Sequence, residues 1–199
     1  MKDRKIRWGR LAILLGSGLG ICILCWVLGI KLGPKTLQTF RARFWDHDPT
    51  LAAQRARALI DYDLPSGYQE TRSLQFQEAS IVIIDRIEQP SELFFEIQNE
   101  TLKISDPENQ QYRESIEEAW ARDVGNRHYD TRRVGEQTAT IRGQTVSLSV
   151  REGEDEDQRP VRQWIGVFAG KQGDVILIVA GTLEAWDQAL VEAFLASIR

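Results

Sequence analysis

Leu11 to Ile30 is an uninterrupted run of twenty uncharged, mostly apolar residues set between Arg10 and Lys31. A helix of that length rises about 30 Å, the thickness of a bilayer's hydrocarbon core. A backbone in hydrocarbon must satisfy its own hydrogen bonds, so such a run is expected to cross as a transmembrane helix. Trp8 and Trp26 stand near its two ends, where indole rings favour the interface. A cleavable signal peptide would have a shorter apolar core and a small-residue cleavage site, and Ile30-Lys31-Leu32-Gly33 supplies none. Ile21 before Cys22 does not resemble the small residue of a lipoprotein signal.

Lys2, Arg4, Lys5, Arg7 and Arg10 crowd the residues before the run, whereas Lys31, Lys35, Arg41 and Arg43 are spread over a longer stretch after it. Positive charge stays on the cytoplasmic side, so the expected orientation is a cytoplasmic N-terminus with the remainder periplasmic or lumenal. Gly16 and Gly20, one helical turn apart, form a small-residue stripe through which two helices could pack into a homodimer. Glycine is also simply common in membrane helices. The expected organisation is a basic flank (1–10), a span (11–30), a linker (31–48) and a globular domain (49–199).

Beyond the linker the balance of charge reverses. Residues 45–199 hold 16 Lys and Arg against 28 Asp and Glu, a net charge of −12. Such a surface repels phosphate backbones, which argues against a nucleic-acid partner. Both cysteines, Cys22 and Cys25, lie in the apolar run, so the domain has no thiol for a disulfide or a metal. About 150 residues suffice to bury a core without such staples.

Asp48-Pro49 carries a capping side chain followed by the residue that best suits a helix's first position, and predicts a helix from Pro49 to about Ile60. Pro65-Ser66-Gly67 predicts a turn, Ile81–Ile84 a buried strand, and Leu93–Ile97 its hairpin partner. Tyr112, Ile116, Ala119 and Trp120 recur at helical spacing after a capping box at Ser105–Glu108. Arg122–Arg133 lacks either period and reads as a loop turning at Gly125-Asn126. Residues 138–150, Trp164–Phe168 and Val175–Val179 then read as a four-stranded antiparallel meander, turning at Gly143-Gln144 and at Gly170–Gly173. A closing helix capped by Thr182 presents Leu183, Trp186, Leu190, Phe194 and Ile198 on one face.

These elements imply an α+β fold, an antiparallel sheet flanked by α-helices. At Asp63-Leu64-Pro65-Ser66-Gly67-Tyr68, in the strand pairs around Gly143 and Gly170–Gly173, and at Phe194-Leu195-Ala196-Ser197-Ile198, the chain resembles the PsbP-like and DcrB-like superfamily of α/β/α sandwich domains. The resemblance covers roughly residues 58–199. It implies a non-catalytic, partner-binding role, often at membranes, and supplies no site residue to transfer.

Candidate sites each carry a plainer reading. Asp46-His47-Asp48 offers metal-ligand chemistry, but adjacent side chains diverge, and a linker with Asp48 as a helix cap accounts for them. Glu152, Glu154, Asp155, Glu156 and Asp157 could attract calcium or a basic surface, yet lack the spacing of a calcium loop and suit a solvated hairpin tip. Among Arg122, Arg127, Arg132 and Arg133, the last two are the expected anion- or partner-binding pair, because two guanidinium forks can grip one carboxylate or phosphate. No catalytic motif is present: no nucleophile elbow, zinc helix or phosphate loop. No metal and no cofactor is expected. The function implied is a membrane-anchored, non-catalytic protein-binding domain, an accessory or assembly factor of a membrane complex. The alternative is a small-molecule or lipid-binding domain with an apolar pocket near Trp120, Trp164 and Trp186.

Overall fold

The computed structural model describes residues 45–76, 79–90, 92–100 and 109–199. They belong to a compact unit, Phe44–Arg199. Its elements in chain order are α1 (Pro49–Leu59), β1 (Tyr68–Phe76), β2 (Ala79–Arg86), β3 (Leu93–Glu100), α2 (Gln110–Arg122), β4 (Asp123–Val124), β5 (Arg127–Ile141), β6 (Gln144–Asp155), β7 (Pro160–Ala169), β8 (Asp174–Thr182) and α3 (Gln188–Ser197). The strands form one antiparallel sheet in the order β1-β2-β3-β8-β7-β6-β5-β4. Two meanders therefore meet where β3 pairs with β8, from Leu93↔Gly181 to Glu100↔Asp174.

Position in the sheet explains each strand's composition. Every residue of β8 is buried, because it lies mid-sheet with side chains covered on both faces. On one face, Val82, Ile84, Phe95, Leu177 and Val179 meet Ala52, Ala56 and Leu59 of α1 and Val191, Phe194 and Leu195 of α3. Phe95 and Phe194 stack with centroids 4.2 Å apart, and Tyr62 meets Phe194 edge-on at 5.4 Å. On the other face Ile83, Phe94, Ile165, Ile176 and Ile178 pack with Ala121 and Trp120 of α2. Full burial of each Val, Leu, Ile or Phe side chain among them contributes about 1.5–3 kcal/mol.

Local signals set the boundaries. The Asp48 carboxylate accepts from the amides of Thr50 and Leu51 and starts α1. Arg142 and Gly143 both adopt positive φ (52° and 72°), which makes the tight turn between β5 and β6. Gly125 and Asn126 do the same (58° and 66°) between β4 and β5. The β7–β8 turn is pinned to the end of α1, where the Lys171 amide donates to the Leu59 carbonyl at 2.9 Å.

The expected fold class requires correction. The described chain is mostly strand, a curled eight-stranded antiparallel sheet with short helices, rather than the α+β sandwich of helix layers about a sheet. The excess strand comes from segments whose charges hid it. Arg127–Arg133 is not loop but the first half of a 15-residue strand, and Glu152–Asp155 extends β6 instead of forming a hairpin tip. In the first of these Arg127, Tyr129 and Thr131 lie on the more buried face and His128, Asp130 and Arg132 on the exposed one, but Tyr129 alone is apolar, so hydropathy does not show the alternation. The closing helix is capped by Asp187, not Thr182, which ends β8. The expected transmembrane helix, with Gly16 and Gly20, and the capping box at Ser105–Glu108 lie outside the described residues. Among the described residues no helix is long and apolar enough to cross a membrane.

Candidate functional site

The described residues concentrate buried charge beneath α2. Glu114, Glu117 and Glu118 stand three and four positions apart and so share one side of that helix. Like charges so spaced repel, and a cation beneath them offsets that cost. Arg151 of β6, 2% exposed, is that cation. Its Nη1 and Nη2 each donate to one oxygen of Glu118 at 2.9 Å, Nη2 also donates to the Thr131 carbonyl at 2.9 Å, and Nε to the Thr131 hydroxyl at 3.3 Å. The two-pronged geometry suits guanidinium and would not suit an ammonium.

The network continues across the sheet. The Thr131 hydroxyl donates to Gln163 at 2.9 Å, and the fully buried Gln163 amide donates to the Ala121 carbonyl at 3.0 Å. One of α2's last carbonyls, which has no partner within the helix, is thereby satisfied. β5, β6 and β7 each contribute one side chain to hold α2 in place.

Between α2 and β5 this arrangement leaves an open cleft of about 360 Å³ lined by Glu114, Ser115, Glu117, Glu118, Arg133 and Arg151. Three carboxylates face two guanidiniums. Glu117 is 8% exposed, and its ion pair with Arg151 spans 3.9 Å. Arg133 pairs with Glu136 at the mouth.

A second buried carboxylate lies further along the same face. Glu96 of β3 is 4% exposed and accepts from the Gly125 amide at 2.7 Å. Burial pushes its carboxyl from 4.5 up to about 7, against the opposing effects of that amide and of Arg72. Glu96 thus joins the middle of the sheet to the turn that leads into β5. At the far end of β6, burial alone would raise the Asp155 carboxyl, but the amides of Arg159 and Asp157 and the Arg159 side chain outweigh it and hold it below the usual carboxylate range.

The residues singled out from sequence scatter. Arg132 and Arg133 are successive residues of β5, paired with Glu152 and Arg151 respectively, so their side chains leave opposite faces of the sheet. Only Arg133 lines the cleft. Asp46 bridges to Ser73 of β1 and pairs with Arg55 at 3.5 Å, while Asp48 caps α1 and His47 is exposed. Asp155 organises its own turn, and Glu152 pairs with Arg162 at 2.6 Å. Among the described residues no three His, Cys, Asp or Glu side chains converge to hold a metal. Trp164 and Trp186 pack edge-to-face at 5.5 Å against one face of the sheet, and Trp120 packs against the other, so the three do not share a pocket.

Sequence reasoning passed over Arg151, Glu117 and Glu96. Arg151 continues the polar alternation of Ser147 and Ser149 and reads as solvent-facing; only α2, folding over it, buries it. For Glu96 a signal existed, a lone carboxylate inside the apolar stretch Leu93–Ile97.

A comparison with protein-family models finds none that matches this chain, and one with curated proteins finds no match either.

Proposed function

We propose that this chain is a non-catalytic protein-binding domain held at a membrane by Leu11–Ile30, an accessory or assembly factor of a membrane complex. One observation carries the reading. β5 runs for 15 residues, yet β4 pairs only with Arg127 and His128, so from Tyr129 to Ile141 no other described strand pairs with its outer edge. Such an edge presents backbone donors and acceptors to a further strand. A register shift between Arg133 and Gly135 and the charges of Arg132, Arg133 and Glu136 guard it against indiscriminate pairing.

The polar groups nearby support a binding role over a catalytic one. Arg151 is fully occupied in holding α2, and Gln163 and Thr131 are bound to each other. The apolar run places the domain beside other membrane proteins at high local concentration, which lets a modest contact suffice. Its basic flank puts the N-terminus in the cytoplasm and the domain on the other side, and Gly16 and Gly20 provide for homodimerisation within the bilayer. The test is purification of the tagged full-length protein in mild detergent, with identification of what accompanies it. Specific proteins in stable proportion are expected; repeated recovery of the chain alone would contradict the proposal.

A further inference from the structure

The open edge of β5 and the cleft lie side by side, since Arg133 of that strand forms one wall of the cleft. A strand added to the edge would lie about 4.8 Å from β5, and every second side chain would fall on the face that α2 covers. On that face the cleft carries an excess of negative charge: Glu114, Glu117 and Glu118 against Arg133 and Arg151. The surrounding domain, at −12 over residues 45–199, adds a field of the same sign.

Glu117 gives the cleft its direction. The residue is 8% exposed, no described group donates a hydrogen bond to its carboxylate, and its ion pair reaches 3.9 Å to a guanidinium whose fork is spent on Glu118 and Thr131. A carboxylate has about four lone-pair sites for hydrogen bonds. Its unused oxygen lone pairs line an open space large enough for an amino-acid side chain.

We infer that the cleft is a socket for a cationic side chain, lysine or arginine, carried by an extended segment of a partner protein that adds to the free edge of β5. This rests on the protein-binding reading above and gives the partner its chemistry. Backbone pairing along β5 supplies affinity in any sequence, and the socket selects a basic residue at one position. A neutral or acidic strand gains nothing from Glu117.

The experiment uses the full-length protein in mild-detergent micelles and two capped nine-residue peptides, one alternating Lys with Val and one alternating Glu with Val. Binding is read by fluorescence anisotropy and backbone protection by hydrogen exchange. The Lys–Val peptide is expected to bind and to slow exchange within Tyr129–Ile141, and the Glu–Val peptide is not. Glu117→Gln should weaken binding at least about tenfold, the loss of one charge-assisted contact. Glu114→Gln, at an exposed position, should weaken it less without touching the buried network, and Glu192→Gln on α3 should leave it unchanged. Equal weakening by Glu192→Gln and Glu117→Gln, protection confined to other strands, or no binding at about 1 mM peptide would overturn the socket. So would concentration-dependent dimerisation that protects β5 without peptide, since a second copy would then own the edge. Co-purifying proteins that cross-link through surfaces other than β5 would remove the socket while leaving the proposed function standing. A chain recovered alone would remove the proposed function itself.

Discussion

Replacing Glu96 with Gln should abolish a pH dependence of stability that the buried carboxylate builds into the sheet. Glu96 lies on β3 on the same face as Phe94, and the Gly125 amide donates to its carboxyl at 2.7 Å. Burial raises its carboxyl from 4.5 to about 7. In the unfolded chain the proton leaves near 4.5, whereas the folded chain keeps it until about 7, so between those values the folded state holds more protons. Stability from the neutral carboxyl is therefore full below about 4.5 and is lost as pH rises through about 7. At about 1.4 kcal/mol per pH unit, the window amounts to about 3 kcal/mol. Gln keeps the shape and an oxygen for the Gly125 amide and carries no charge at any pH. Urea unfolding of the Phe44–Arg199 unit at pH 5, 6, 7 and 8, followed by tryptophan fluorescence, measures both chains. The variant should gain on the native protein progressively, with a difference between pH 5 and pH 8 of about 2–3 kcal/mol. Parallel pH profiles, or a native protein that gains on the variant as pH rises, would refute the reasoning.

Other perturbations test the packing around the cleft. Arg151→Ala should cost about 3 kcal/mol in urea unfolding, because the Thr131 carbonyl and Glu117 lose their cation, and Arg151→Lys should recover little without the planar fork. Gly153→Ala would drive a methyl into the Asp130 carbonyl oxygen and to 2.7 Å from the Thr131 Cα, both backbone, so a loss of about 2–3 kcal/mol and weakened amide protection along β5 and β6 are expected. Asp48→Ala removes the cap of α1 and should lower stability by about 1 kcal/mol, read from the same unfolding curve, without altering peptide binding at β5.

Residues that meet their environment locally were legible in the sequence. Asp48-Pro49 marked the start of α1, the apolar run Ile81–Ile84 and its partner Leu93–Ile97 lie in paired strands, and the alternation after Thr138 marked the second meander. Residues that depend on distant segments were not. Arg127–Arg133 offers Tyr129 as its one apolar side chain, too little to show the period of a strand; its strand identity comes from β6 alongside it. The pairing of Arg132 with Arg133 as one grip failed on the simplest property of a strand, that neighbours point apart. The candidate cleft was hidden for the same reason as β5. Glu114, Glu117 and Glu118 look like a solvated helix face until Arg151, over thirty residues away in sequence, is laid beneath them.

The claim on which the rest depends is that a protein partner occupies the outer edge of β5 while the chain is held at its membrane. A photo-crosslinking residue placed at Val134, which is 49% exposed on that strand, tests it in intact membranes. The account predicts a discrete protein adduct at position 134 that is lost in Glu117→Gln, and none from the same probe at Gln172 in the β7–β8 turn. Equal adducts from both positions, or adducts at 134 indifferent to Glu117, would contradict it.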